Sequence, residues 1–329
     1  MRIFLISAAL ATLAASCNNI VKSSSEQKKD ILISDMDSTV NPSQDFFMYA
    51  NGGWIKRNPI PSDQGSWGIA QLVIEENLKR LRTISEKAAA SNAAEGTTEL
   101  KIGDFWATAM DSAKIEQLGL KPLQAYLDKI NAISDVPSLV TTVSELKNIG
   151  SYSLFNDYVT QDDKNSDLMT YRLNQGGLGL PEREYYFKTD SATVNIRTQY
   201  VNYITKVLTM SGEDSTSAYT AAKNILALET KLAQSSRKIE DLRDPYKNYN
   251  KMAINELGKL SSNINWSNYL KTMGVHSIDS VIVGQPEFFK TLNQVLTSTP
   301  INDWKAYLRF SLISDFSGGL PDQYGIAAF

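Results

Sequence analysis

The stretch DFFMYANGGWIKRNPIP, from Asp45 to Pro61, decides how the rest of the chain is interpreted. It contains four aromatic residues, two adjacent glycines and two prolines, and its apolar positions follow neither a helical nor a strand period. We therefore expect a non-helical segment. Gly52–Gly53 would allow a tight turn, and Pro59 and Pro61 would hold the exit extended.

The composition of the whole chain indicates which broad class of protein it belongs to. With 329 residues the chain is long enough for one large domain or two ordinary ones, and 42% hydrophobic with 21% charged residues is typical of a globular protein. Lys and Arg number 33 against 36 Asp and Glu, which gives a net charge of -3. Because nucleic-acid binding needs a basic face, this balance argues against a general nucleic-acid binder.

Imidazole and thiol chemistry are nearly missing from the sequence. The chain has one cysteine, Cys17, and one histidine, His276, so an internal disulfide framework is excluded. Zinc hydrolases usually need two or three imidazoles, and no metal-binding spacing occurs in the sequence. Paired carboxylates such as Glu75–Glu76 and Asp162–Asp163 are interpreted as solvated faces, because adjacent residues point in different directions. We therefore predict no catalytic residue and no metal ligand in this chain. His276 stands beside a glycine turn and is interpreted as a capping or surface residue.

The first residues are typical of an export signal. Arg2 precedes the apolar run IFLISAALATLAA, which is too short to span a bilayer and ends at the small residues before Cys17. We predict a lipoprotein signal and lipobox over residues 1–17, with lipid on Cys17 and the protein on a membrane facing the periplasm or the cell surface. An ordinary secretory signal is the alternative. Residues 18–44 are polar and predict a tether, with a short strand at ILIS.

Most of the remaining chain has helical periodicity. Apolar residues recur every three or four positions from Ala70 to Ile84, and further amphipathic runs follow. Residues 151–177 alternate instead in two runs around a polar centre, which predicts a β-hairpin. The fold class is therefore mainly α: a large multi-helix lobe, or two small helical subdomains, with one hairpin. The predicted later helices are Ala192–Met210, Ser215–Ser235, Ile254–Ser261, Trp266–Thr272, Pro286–Thr297 and Ile301–Phe316.

One charged segment allows two interpretations. IEDLRDPYKNYNKM, from Ile239 to Met252, mixes charges with tyrosines at the end of a long helix. It could line a groove. The simpler interpretation, which we favour, is a helix exit with local pairing of Asp244 and stacked tyrosine rings.

Three segments together resemble one family. Residues Asp45–Gly68, Tyr171–Phe187 and Arg243–Met252 resemble the N-terminal part of neprilysin-like zinc metalloendopeptidases, and Trp304–Phe329 resembles the next helix of that family. The order of the elements is similar too. The resemblance extends from about Asp45 to the last residue.

The resemblance implies a two-lobed enzyme that acts on peptides. One lobe is thermolysin-like and holds zinc through His-Glu-x-x-His and a later Glu, while the helical lobe caps the active site and restricts it to peptides. In the family the zinc residues lie downstream of every segment seen in this sequence. Zinc is thus expected for the full-length enzyme, none is expected on this chain, and the chain is predicted to lack the catalytic half and to be inactive alone.

The resemblance also implies a division of the chain. Residues 45–68 are expected to pack on the catalytic lobe, and 69–329 are expected to form the helical domain. The four rings of the opening segment should then be partly exposed in this chain alone. Two positions depart from the family: Asn51 stands where mammalian members have a cysteine, and Ser66 replaces a substrate-facing arginine of some members.

Two functions follow from these observations. The first is the N-terminal, substrate-capping domain of a neprilysin-like zinc metalloendopeptidase working outside the cytoplasm. The alternative is a complete, non-catalytic helical lipoprotein that binds peptides or a protein partner.

Overall fold

The computed structural model describes residues 31–328. The predicted signal peptide, the lipid site at Cys17 and residues 18–30 of the predicted tether lie outside the described residues. Those expectations therefore remain predictions, and so does the expected division of the chain at residues 45 and 69.

The mainly α fold class is confirmed. Fifteen α-helices and three short 3-10 helices occur within residues 31–328, with one four-stranded sheet. The α-helices are α1 Ile31–Asp35, α2 Phe46–Arg57, α3 Ile69–Ala90, α4 Thr98–Met110, α5 Ser112–Leu118, α6 Gln124–Asn131, α7 Val136–Lys147, α8 Glu184–Phe187, α9 Ser191–Met210, α10 Ser215–Ser235, α11 Ile239–Leu242, α12 Trp266–Thr272, α13 Pro286–Ser298, α14 Ile301–Asp315 and α15 Asp322–Ala328. The 3-10 helices are Lys121–Leu123, Ile254–Lys259 and Ser317–Gly319.

The sheet contains the predicted hairpin and two strands that the sequence patterns did not reveal. Strands β1 Phe155–Asp162 and β2 Asn165–Gln175 pair antiparallel, with Phe155 opposite Gln175. The additional strands are β3 Asn250–Ala253 and β4 Ser280–Val283, and the order across the sheet is β1-β2-β4-β3. β4 is parallel to β2, and β3 is antiparallel to β4. At four residues each, these strands are too short for a period to show.

The chain divides into two compact units: the first ends at Trp106, and the second begins at Ala107. The second unit holds a continuous hydrophobic core, because one face of the sheet and the apolar stripes of α7, α9, α10, α13 and α14 all contribute buried side chains to it. Aromatic rings pack together at its centre: the ring of Phe155 lies 5.3–5.8 Å from those of Trp266, Tyr269 and Phe289. Such tilted and edge-on pairs add stability beyond the burial of their area.

The opening segment is a helix, so our expectation of a non-helical turn was wrong. α2 begins where the Asp45 side chain accepts a hydrogen bond from the Met48 N–H at 2.9 Å. Gly52 and Gly53 lie inside the helix and do not form a turn. A Cβ on Gly53 would come within 2.7 Å of the Met36 carbonyl oxygen. The glycines therefore let another backbone segment approach closely, and this packing outweighs their poor helix propensity.

The partner of this close approach is the short segment around α1. The ILIS sequence, expected to be a strand, forms the start of helix α1. The Arg57 guanidinium donates to the Ser34 carbonyl and to the Asp35 carboxylate, both at 2.6 Å, and Lys56 pairs with Asp37 at 2.7 Å. These tertiary bonds hold the end of α2 to α1, and no period in the sequence predicts them.

Candidate functional site: an apolar surface in the first unit

The first unit carries most of its large apolar side chains on the outside. Among its described side chains, Ala88 is the one buried hydrophobic residue. A unit of this size normally buries a core of its own, since burial supplies the main favourable free energy of folding. This unit instead offers an apolar surface, which we call the α2–α3 surface. It consists of the aromatic rings of α2 and the exposed apolar side chains of α3 from Ile69 to Ile84.

The rings of α2 form one end of the α2–α3 surface. Phe46 and Phe47 are 69% and 65% exposed, and Tyr49 and Trp54 are half-buried. The prediction that these four rings would be incompletely buried in this chain is therefore confirmed. The Lys56–Asp37 and Arg57–Asp35 ion pairs fix the end of the same helix, so the rings are held on an ordered support.

A cleft of about 610 Å³ continues this surface toward α3. Two tryptophans, Trp54 and Trp67, contribute to its walls together with Phe47 and Ile60. Its polar groups are few, and they come mainly from carboxylate and amide side chains such as Asp35. Concave apolar walls with a few polar groups are typical of a site that receives another molecule's apolar groups.

The α2–α3 surface continues along α3 from Ile69 to Ile84. The periodicity that predicts this helix also defines one apolar stripe, and the stripe is more than half exposed at each of its large members: Ile69, Val73, Ile74, Leu78, Leu81 and Ile84. A contiguous exposed stripe of this kind is rare on a monomeric protein, and it marks an interaction surface. The far end of α3 is covered within the unit, because Gly103 of α4 approaches so closely that a Cβ there would lie 2.6 Å from the Ala88 carbonyl oxygen.

A buried acid lies in the second unit. Glu229 of α10 is 1% exposed and accepts hydrogen bonds from the hydroxyls of Tyr186 at 2.7 Å and Tyr200 at 2.8 Å. Burial raises the pKa of the Glu229 carboxyl to about 7, although these hydrogen bonds oppose the rise. The same carboxyl raises the pKa of both hydroxyls further, after desolvation as the main cause.

The same acid helps to hold the Gly-Leu-Pro turn at residues 179–181, within the segment that resembles the family. The Tyr186 hydroxyl accepts from the Leu180 N–H at 3.0 Å while it donates to Glu229. Tyr307 donates to the Gly177 carbonyl at 3.1 Å. The turn is thus tied to α8 and α14, and through Tyr186 to α10, which is a structural role.

A second buried charge connects a helix to the sheet. The Lys147 ammonium is fully buried and lies 2.6 Å from both the Asp157 carboxylate and the Phe155 carbonyl oxygen. It also sits 3.8 Å from the centre of the Phe155 ring. Burial lowers the pKa of Lys147 to about 8, while Asp157 opposes that shift. Asp157 in turn accepts from Tyr171 and from Tyr269.

Neither buried group was singled out from the sequence. Both stand on the apolar side of a predicted helix, Glu229 four residues after Ile225 and Lys147 four residues after Val143. A charged residue in register with an apolar stripe was the available signal.

The charged segment from Ile239 to Met252 follows the end of α10, and its Leu242 and Asn248 also line a groove of about 340 Å³. Its Lys247 pairs with Asp244 at 3.6 Å, as the simpler interpretation expected. The Tyr249 hydroxyl donates to Asp162 at 2.9 Å, and Lys251 pairs with the same carboxylate at 2.8 Å. The group therefore fastens β3 to the end of β1.

Residues 31–328 were searched for groups of side chains that could bind a metal ion. Nowhere in that range do three or more His, Cys, Asp or Glu side chains lie where they could hold a metal ion. His276 lies exposed in a loop, in agreement with its interpretation as a surface residue. As for membranes, the helices of the described residues include none with the length and apolar character needed to cross a bilayer.

The mainly helical fold and the exposed apolar side chains of the first unit are the features with which relatives are compared. The match to a family is specific. The model of the N-terminal region of Peptidase family M13 covers residues 42–329. The chain belongs to this family, and the resemblance to neprilysin-like metalloendopeptidases is confirmed.

Individual relatives agree with this assignment. The chain is 29% identical over 310 residues to mouse endothelin-converting enzyme 1, covering 89% of this chain and 39% of the relative. It is 28% identical to neprilysin-3 of Drosophila melanogaster, over 80% of this chain and 36% of the relative. The zinc metalloprotease Zmp1 of Mycobacterium tuberculosis, solved with an inhibitor, superposes with a TM-score of 0.84 at 26% identity, over 90% of this chain and 45% of the other. The chain thus spans less than half the length of these relatives.

Proposed function

We propose that this chain forms the substrate-capping, N-terminal part of a neprilysin-like zinc metalloendopeptidase that cleaves peptides outside the cytoplasm. The family match supports the class of enzyme. The observation that carries the proposal is the α2–α3 surface. A unit whose described residues include one buried hydrophobic side chain and three exposed phenylalanines, Phe46, Phe47 and Phe105, is stabilised when another lobe covers it.

The partner in this proposal is a catalytic lobe with the zinc site. The described residues do not fit a zinc ion, since they bring no suitable ligand group together. The ligands and the general base would therefore come from the catalytic lobe, and residues 45–68 would pack against it. The contribution of this chain is to cover the active site and to limit which peptides reach it.

We further propose that the protein is exported and held on a membrane by lipid on Cys17. The support is the sequence alone: a short apolar run after Arg2 and small residues directly before the single cysteine. Metabolic labelling with a tritiated fatty acid tests this, with label expected on the wild type and none on Cys17→Ser. Equal labelling of both proteins would exclude this anchor.

Binding of a catalytic lobe tests the main proposal. The purified chain is titrated calorimetrically with the part of Zmp1 that the structural match leaves uncovered. We expect saturable binding that weakens by about tenfold or more in Phe46→Ser/Phe47→Ser, because two large apolar side chains lose their burial.

The control is Tyr246→Ser, since Tyr246 is 82% exposed in the second unit and lies outside the proposed contact. It should bind like the wild type, and circular dichroism should show the same helix content for all three proteins. Absence of binding by the folded wild type, or equal binding by the double variant, would contradict the proposed contact.

A further inference from the structure

We propose that the outer edge of strand β1 is a docking site for an extended peptide, which would join the sheet as an added strand beside Asp157, Val159 and Gln161. The site lies within the second unit. It rests on backbone geometry, and it holds whether or not the chain works with a catalytic lobe.

The direction of the backbone groups of β1 follows from its neighbours. On β2, the Leu173 carbonyl accepts from the Gly284 N–H at 2.8 Å, and the Gln175 N–H donates to the Gln285 side chain at 2.8 Å. Both odd-numbered residues thus face away from β1. The even-numbered residues of β2 then bond to β1, and their register partners are Asn156, Tyr158 and Thr160.

The alternate residues of β1 therefore point outward. Phe155 fits this assignment, because its N–H donates to Ser153 and its carbonyl accepts from Lys147. The outward groups of Asp157, Val159 and Gln161 form no backbone hydrogen bond to any other described residue. They present a row of donors and acceptors about 13 Å long, at about 3.3 Å per residue. Such a row is a template for another strand.

The sequence of β1 does not protect this edge. Natural edge strands are usually short, or carry charged side chains, proline or a bulge that prevents pairing. β1 has eight residues with neither lysine nor proline, and its irregularity comes only at its end, between Gln161 and Asp162. Its two charged residues, Asp157 and Asp162, are both neutralised by lysines of this chain, Lys147 and Lys251. The opposite edge of the sheet is protected, because β3 has four residues and carries Lys251, which is tied to Asp162.

The side chains beside the free edge suit an uncharged, β-forming peptide. Tyr158 and Val159 are about half exposed, at 47% and 56%, on opposite faces of the strand. A groove of about 340 Å³, lined by Asn156, Tyr158 and Leu242 among others, lies on the face that carries Tyr158. Alternate side chains of an added strand would enter it, and β-branched or aromatic residues pair best at such positions.

The charges near this groove do not select a charged peptide. Arg172 pairs with Asp163 at 2.9 Å, and Arg237 pairs with Glu287 at 2.5 Å. With these ions paired to each other, recognition would depend on the peptide backbone, as in strand addition generally.

The test measures fluorescence polarisation of a labelled, end-blocked, uncharged peptide, Gln-Thr-Val-Thr-Tyr-Thr-Gln, titrated with the purified chain. We expect saturable binding. Val159→Pro removes the outward N–H without touching the bonds to β2, so affinity should fall about tenfold or more, whereas Val159→Thr keeps the N–H and should bind within about twofold of the wild type. The same peptide with its central amides N-methylated should not bind.

Several results would overturn the proposal. These are no saturable binding by the folded wild type, equal binding by Val159→Pro, or equal binding of the N-methylated peptide. Sedimentation of the chain without peptide could give one more result of this kind. A dimer that forms in the wild type and is lost in Val159→Pro would mean that a second copy, and not a peptide, occupies the edge. Thermal unfolding curves show whether each variant is folded.

Discussion

The clearest effect of burial on a single residue of the second unit is the raised pKa of the Glu229 carboxyl. Glu229 is surrounded by Tyr186, Tyr200 and Tyr307, and burial raises the pKa of its carboxyl to about 7 from an ordinary value of 4.5. The folded state therefore binds this proton more tightly than the unfolded state does. The stabilisation from the protonated form is complete below about pH 4.5 and is lost as the pH rises through about 7.

Glu229→Gln tests this titration. We expect urea denaturation curves of the wild type to show a loss of roughly 2–4 kcal/mol between about pH 5 and about pH 8.5, and the variant to lack most of that slope. Glu240→Gln, on an exposed position of α11, serves as the control and should keep the wild-type slope. A variant whose slope equals that of the wild type would show that Glu229 is not the titrating group.

Lys147 gives a second prediction. Lys147→Met leaves the buried Asp157 carboxylate without its ammonium partner, so the free energy of unfolding should fall by about 3–5 kcal/mol. Lys129→Met is the matched control, because the Lys129–Glu145 pair is 47% and 34% exposed and should contribute about 0–1 kcal/mol. Denaturation at neutral pH measures both. Similar losses for the two variants would contradict the assigned role of burial.

At the scale of the elements, sequence patterns predicted what is periodic and missed what depends on tertiary contact. The long helices and the hairpin were predicted because each shows its period over many residues. β3 and β4 were missed because four residues show none. α2 was missed because its glycines and clustered rings oppose a helical prediction, although the close contact with the segment around Met36 favours it.

The glycine contact gives an element-scale prediction. Gly53→Ala places a Cβ 2.7 Å from the Met36 carbonyl oxygen, so α1 and α2 should lose their contact at a cost of about 1–3 kcal/mol. Hydrogen exchange of the α2 amides should become faster. Gly65→Ala meets no atom within 4 Å and should leave this exchange unchanged. Unchanged protection in Gly53→Ala would mean that the backbones do not approach as described.

In the molecule as a whole, part of the candidate site could be predicted from the sequence and part could not. The incomplete burial of the α2 rings was predicted, because four large rings in a short segment need a packing partner and the family resemblance places that partner in another lobe. The exposed stripe of α3 could not be predicted, since periodicity shows that a helix has an apolar face but not what covers the face. The positions of Glu229 and Lys147 on apolar stripes were a signal of burial, but their partners could not be predicted, because these contacts join distant elements.

Peptide cleavage by a hybrid enzyme tests whether this chain is the substrate-capping part of a zinc endopeptidase. The chain is joined to the part of Zmp1 that the structural match leaves uncovered, and hydrolysis of an internally quenched peptide is followed with and without a zinc chelator. We expect chelator-sensitive cleavage by the hybrid, and none by this chain alone even with added zinc. Chelator-sensitive cleavage by this chain alone, or a folded hybrid that cleaves no faster than the Zmp1 part by itself, would contradict the proposal.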